Sequence, residues 1–155
     1  MGDSFDAVRY SPLCAELSDA DFAPMRSLCR DIELEPGQIL CSPGDKVQSA
    51  FILAQGTIVG VVLDGQYEES QAGTILLPGA LLNPRRTSQT LVAGTHSSLL
   101  ELPREGFEEL ISGNRPVART LLNEIARQLV SLVRALNRTL SDLVEEVTLT
   151  GDDLS

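Results

Sequence analysis

The sequence predicts an α+β fold that is mainly β: a jelly-roll-type β-barrel flanked by short N-terminal helices and followed by a long C-terminal helix. Three observations predict it. Between Asp31 and Leu102 the chain is a succession of short apolar or alternating segments, broken by turn signals at Pro36-Gly37, Pro43-Gly44-Asp45, Gln55-Gly56, Asp64-Gly65, Pro78-Gly79 and Ala93-Gly94. Many short strands at that spacing belong to antiparallel sandwiches and barrels rather than to parallel βαβ units. Helical texture is confined to the two ends of the chain, and after Pro116 it runs unbroken for about thirty residues.

The elements follow in order. Leu17-Ser18-Asp19-Ala20-Asp21-Phe22 reads as a helix start, with Ser18 as cap, Asp19 and Asp21 at the positive end of the dipole and Leu17 placed to staple onto Phe22. That helix is expected to end near Cys29. Strands are expected over 32–34, 39–41, 50–53, 57–63, 74–77, 90–93 and 98–102, giving a barrel of about 31–102. From Pro103 a helix places Phe107, Leu110 and Ile111 on one face and stops at Gly113. A second helix, capped near Asn114, runs from about 116 to 147, on the order of 45 Å at the usual rise. One domain over 1–147 with a tail over 148–155 is the expected organisation.

The long helix carries a stripe of Leu122, Ile125, Leu129, Leu132, Leu136, Leu140, Leu143 and Val147, with steps of three and four and a stutter at Leu136. Its later turns overhang any body this small, so they pair with a second copy or fold back onto the barrel. Parallel pairing with a second copy is preferred, making this stripe the expected homodimer contact.

Composition narrows the function. Hydrophobic residues form 43% of the 155 and charged residues 22%, as in ordinary globular proteins. No apolar run reaches the roughly 20 residues that span a bilayer. The N-terminus has early acids and no apolar stretch, so no secretory leader is read there. Three cysteines, Cys14, Cys29 and Cys41, lack zinc or redox spacing and read as free thiols in a reducing, cytoplasmic setting. A net charge of −10 argues against nucleic acid as partner. His96 is alone, and Glu108-Glu109 and Glu145-Glu146 are helix neighbours pointing about 100° apart, so no catalytic dyad and no metal site is expected.

The order of these segments resembles the cyclic nucleotide-binding domain family. Leu34-Glu35-Pro36-Gly37-Gln38-Ile39-Leu40 is similar to its L-x-P-G-x-x-L strand, Pro43-Gly44-Asp45 to the x-G-D turn after it, and Phe51-Ile52-Leu53-Ala54-Gln55-Gly56-Thr57-Ile58 to its Y-I-V-L-x-G-x-V strand and turn. Ile75-Leu76-Leu77-Pro78-Gly79 resembles L-x-P-G-D, and Leu99-Leu100-Glu101-Leu102-Pro103 the closing strand. The resemblance implies a nucleotide cassette running Gly-Glu, a short apolar helix, then Pro-Arg. Helix amides and the Arg receive the phosphate there, and the Glu accepts from the ribose hydroxyl.

Aligned from both ends, the chain leaves only Ala80 to Ser88 for that cassette, with Asn83-Pro84 or Ala80 against the Gly-Glu and Thr87 against the Arg. No acid occurs between Glu69 and Glu101. The cassette is therefore expected to be cut short. Asn83, Arg85, Arg86, Thr87 and Ser88 remain as a phosphate-binding candidate, a protein contact or a solvated turn. Two functional readings stand. In the first, a non-enzymatic regulatory or scaffolding module without a cofactor homodimerises through the helix and binds a protein partner, with neither DNA nor membrane. In the second, the rearranged loop senses a cyclic mono- or dinucleotide.

Overall fold

The computed structural model describes residues 3–62, 65–83 and 85–154; for Asp3, Arg85 and residues 150–154 it describes the backbone alone. Ahead of the barrel come α1 (Asp3–Arg9), a 3-10 turn (Pro12–Cys14) and α2 (Asp19–Leu28). The α2 start forms as its sequence dictates. Ser18 Oγ accepts from the Asp21 N–H at 3.1 Å, and the Asp21 carboxylate accepts from the Ser18 N–H at 3.2 Å, a reciprocal capping box.

Ten strands follow: β1 (Arg30–Leu34), β2 (Ile39–Cys41), β3 (Lys46–Val47), β4 (Ser49–Gln55), β5 (Ile58–Val62), β6 (Gly65–Glu69), β7 (Ile75–Leu76), β8 (Arg85–Arg86), β9 (Thr90–Ala93) and β10 (Ser97–Pro103). Between β7 and β8 sits α3 (Gly79–Leu82), and after β10 come α4 (Arg104–Ser112) and α5 (Pro116–Leu154). All described pairings are antiparallel. One sheet runs β1-β10-β4-β7, a second β2-β9-β5-β6, and β3 pairs with β8. This is the expected jelly-roll barrel.

The two sheets differ in what covers them, and their sequences record it. Phe51, Leu53, Leu76 and Leu99 of the first sheet face the barrel interior and join Ile58, Leu91 and Ala93 of the second. On its other side Ala50, Ile52, Leu100 and Leu102 pack under Phe22 and Met25 of α2, Phe107 and Leu110 of α4, and Val117, Leu121 and Ile125 of α5. Buried on both faces, β4 and β10 read as nearly continuous apolar runs. The second sheet is covered on one face only. There Ile39, Val92 and Val59 lie in a cross-strand row on the outside, with Ile39 57% exposed.

Several sequence expectations change. Gly65–Glu69, read as the flank of an Asp64-Gly65 turn, forms β6 and hydrogen-bonds along β5; the expected strand end at Leu63 and the turn residue Asp64 lie outside the described residues. The strand expected over 74–77 is Ile75–Leu76 alone. The α4 helix does stop at Gly113 as expected; the left-handed residue after it is Asn114 at φ 53°, and the Arg115 N–H closes back onto the Leu110 carbonyl at 3.0 Å. The α5 helix does not stop at 147. Its backbone stays helical through Leu154, 39 residues or about 58 Å, so the expected tail is helix as far as that residue and Ser155 lies outside the described residues.

Candidate functional site

The candidate site is the cleft where the end of β7 and the start of α3 face α5. Gly73, at φ 93°, turns the chain into β7, its N–H donating to the Leu53 carbonyl at 2.8 Å. Leu77 then takes the left-handed conformation at φ 56°, a region that costs an ordinary side chain roughly 1–2 kcal/mol. Packing supports it, because Leu77 lies against the barrel cluster and the next turn inserts Leu81, 3% exposed, into the core beneath the helices. The Ala80 and Leu81 amides donate to the Leu77 and Pro78 carbonyls, both at 3.1 Å, and close α3.

Pro78-Gly79 is thus a helix start and not the strand-to-strand turn the sequence resemblance implied. A short helix stands in this segment, and no carboxylate lies in it or just before it. Leu81 is buried in the core beneath the helices, whereas Leu82 is 46% exposed.

Downstream, the candidate phosphate residues diverge. Asn83 ends α3 and is exposed, while Pro84 and the side chain of Arg85 lie outside the described residues. Arg86 is exposed on β8, and its Nη1 donates to the Gly44 carbonyl at 2.7 Å. Thr87, half-buried at the expected Arg position, is pinned by its backbone to Gly44 and Asp45, and its hydroxyl accepts from the Gln89 N–H at 3.2 Å. Ser88 is exposed. Arg86 and Thr87 are thus tied to the Gly44-Asp45 turn, while Asn83 and Ser88 are exposed.

The cleft itself, about 440 Å³, is lined by Tyr67 and Glu69 of β6, Leu76, Leu77 and Pro78, Gln89, and Glu124, Gln128 and Ser131 of α5. Tyr67 lies across Gly60, its partner on β5, where any larger residue would meet the ring. Burial, reinforced by Glu69, pushes the Tyr67 phenol above its ordinary range, so it stays protonated and donates to Gln89 Oε1. Glu124 is largely covered; it accepts from Arg127 and, at 3.3 Å, from Gln128 Nε2. Among the described lining residues there are two carboxylates and no Lys or Arg. An anion entering this cleft meets Glu69 and a Glu124 already paired with Arg127, and no cation stands in the described lining.

The family profile of the cyclic nucleotide-binding domain matches residues 31–114, more than half of the chain. The chain belongs to the cyclic nucleotide-binding domain family. Solved structures carry the same fold. The N-terminal domain of a transcriptional regulator from Streptomyces coelicolor A3(2) is 24% identical, with 84% of this chain covering 95% of that one at a TM-score of 0.64. Catabolite activator protein of Thermus thermophilus is 25% identical at a TM-score of 0.68; 82% of this chain matches it, spanning 62% of its length. A structure of PKAR CBD2 with Sp-2Cl-cAMPS bound is 16% identical over 86% of each chain, with a TM-score of 0.69. No curated protein sequence matches the chain.

The second feature of this cyclic nucleotide-binding-type domain is α5. Its root is sealed, with Val117, Ala118, Leu121 and Ile125 all under 5% exposed against the barrel. Ile125, expected in the dimer stripe, is therefore committed to the monomer core. Leu122, Leu129, Leu132, Leu136, Leu140 and Leu143 are exposed as the stripe requires. Elsewhere His96, alone in the sequence, lies between two acids, Nε2 2.8 Å from Glu33 and Nδ1 3.5 Å from Glu35. Among the described residues no helix is long and apolar enough to cross a membrane.

Proposed function

We propose that this chain is a non-enzymatic regulatory module that does not bind cyclic AMP or cyclic GMP and acts through homodimerisation and contact with another protein. The observation that carries the reading is the cleft lining: where the family receives a cyclic phosphate, this chain offers Glu69 and Glu124, no Lys or Arg among the described residues, and Thr87 in the place of the arginine. A lost charge-assisted hydrogen bond of this kind removes roughly 1.5–3 kcal/mol each time it is absent, and here both the ribose acceptor and the phosphate cation are missing. Ile39, exposed beside the half-buried Val92 and Val59 on the uncovered sheet, supports a protein contact by the barrel, and the exposed stripe of α5 supports the homodimer. Calorimetric titration of the full chain with cyclic AMP and cyclic GMP should give no saturable heat. Micromolar binding of either nucleotide overturns the reading.

One observation favours the second reading. The cleft has the volume of a small-molecule site, its lining includes Gln89, and Arg86 is exposed on β8 three residues before it. A cyclic mono- or dinucleotide would then draw Arg86 from the Gly44 carbonyl and add Arg85, Thr87 and Ser88. Under that reading a cyclic dinucleotide raises the melting temperature of the wild type and not of the Arg85→Ala/Arg86→Ala variant; no shift for either protein removes it.

A further inference from the structure

The second sheet ends on a strand that is paired on one side only. In the order β2-β9-β5-β6, β6 has β5 beside it and, among the described residues, no strand beyond it. The hydrogen bonds of the sheet fix which of its backbone groups are left over. The Gly94 N–H donates to the Thr57 carbonyl at 2.8 Å, and the Ala93 N–H donates away from β5, to the Gln38 carbonyl at 2.9 Å. Bonding alternates along an antiparallel pair, so Val59 and Val61 bond to β9, while Ile58, Gly60 and Val62 bond to β6. Their partners on β6 are Glu69, Tyr67 and Gly65. The N–H and C=O groups of Gln66 and Glu68 therefore point outward from the sheet, and among the described residues no backbone bond takes them up.

Nothing on β6 guards this edge. Edge strands are ordinarily blunted by proline, lysine or a bulge. The β6 sequence, Gly65-Gln66-Tyr67-Glu68-Glu69, has neither residue, and its five pairs with β5 run without a bulge. Gln66 and Glu68 are exposed. The Tyr67 ring laid across Gly60 holds the hairpin in shape, so the edge is presented ready-formed.

We infer that β6 is a docking edge, which takes up an extended basic segment of a partner protein as a fifth strand of the second sheet. The inference rests on the protein-contact reading above and adds the place of contact, its backbone geometry and the charge of the partner. Charge selects the occupant. From Val47 to Pro84 the sequence holds no Lys or Arg, whereas Asp64, Glu68 and Glu69 all fall there. Glu68 lies on the outer face of the sheet, across from Val59, and Glu69 on the inner face, across from Ile58. A strand that alternates basic and apolar residues meets one of these two acids with its basic side in either register. Val61, 41% exposed beside Gln66, receives an apolar neighbour. A second copy is the poorer occupant, since pairing edge to edge would bring two Glu68-Glu69 steps together in chains of net charge −10.

The test follows the isotope-labelled full chain by NMR, with an acetylated and amidated octapeptide of alternating lysine and valine as the probe. Titration up to about 1 mM should shift the Gln66 and Glu68 amides and slow their hydrogen exchange, with weaker binding as salt rises. Gln66→Pro removes only an outward N–H, a place where an edge strand tolerates proline, and should weaken binding roughly tenfold. The fully N-methylated peptide keeps the charge without the donors and should lose affinity to the same degree. Glu68→Lys should transfer the preference to the glutamate-valine octapeptide. Absence of shifts at β6, or shifts centred elsewhere, overturns the proposal. Undiminished binding of the N-methylated peptide overturns strand addition, and equal binding of the glutamate-valine peptide by the wild type overturns the charge selection. None of these results alters the cyclic nucleotide titration, which decides the reading above separately.

Discussion

The two stretches of α5 differ less in composition than in what they touch. Residues 117–125 place Val117, Leu121 and Ile125 into the core, continuous with Phe22, Phe107 and Leu100. Residues 126–147 carry as many aliphatic side chains and leave them exposed. Apolar periodicity alone therefore does not say whether a helical stripe belongs to a fold or to a partner. The body beside the helix decides, and it ends near Gln128 and Ser131: the Gln128 amide lies 3.5 Å from the Ile75 carbonyl, and Ser131 lines the cleft one turn on.

Variants that respect or violate this division should sort by size. Leu121→Ala opens a cavity under two helices and a sheet, so its urea midpoint should fall by the equivalent of about 2–5 kcal/mol, independent of protein concentration. Strong concentration dependence there would erase the distinction between the stretches. Alkaline pH should attack the same sealed side. Burial lifts the Cys14 thiol from its ordinary 9.0 to about 11, and burial with the nearby Glu101 lifts Cys29 to about 12. Both groups keep their protons longer folded than unfolded, so their contribution is complete below pH 9 and declines from there to about pH 12. Chemical unfolding across pH 8–11.5 should show that decline, less steep in Cys29→Ala.

Smaller effects sharpen the contrast. Ser18→Ala removes one half of the capping box and should lower stability by about 1 kcal/mol, read from thermal melts. Leu140→Ser in the overhang should change monomer stability by less than about 0.5 kcal/mol at nanomolar concentration while abolishing the dimer band in sedimentation velocity. A monomer destabilised by as much as Leu121→Ala would show that residue 140 folds back onto the barrel.

Much of the fold was legible because the turn residues are local signals. Gly37, Gly44 and Gly56 take φ of 85–96°, and each sat in a predicted turn. The site was less legible for the same reason. Leu77 adopts a left-handed conformation without the glycine that announces one, and Gly73, which does turn the chain, carries no proline beside it. Pro78-Gly79, which reads as a strand-to-strand turn, opens a short helix instead. The cleft carboxylate Glu124 was beyond sequence reasoning, since it lies 35 residues beyond Gln89 and reaches the site only through the packing of α5. Ile125 was misplaced because a periodic stripe does not reveal where the barrel ends.

Leu81 has a mechanical consequence. It anchors α3 into the cluster shared by β4, α4 and the root of α5, so the loop from Leu77 to Asn83 is held in shape by hydrocarbon rather than by a bound anion. Swinging that loop outward would draw a leucine from the interior and leave a void of its size, which sets a stiff restoring force on the cleft wall. The cleft wall is in this respect a fixed bracket and not a lid.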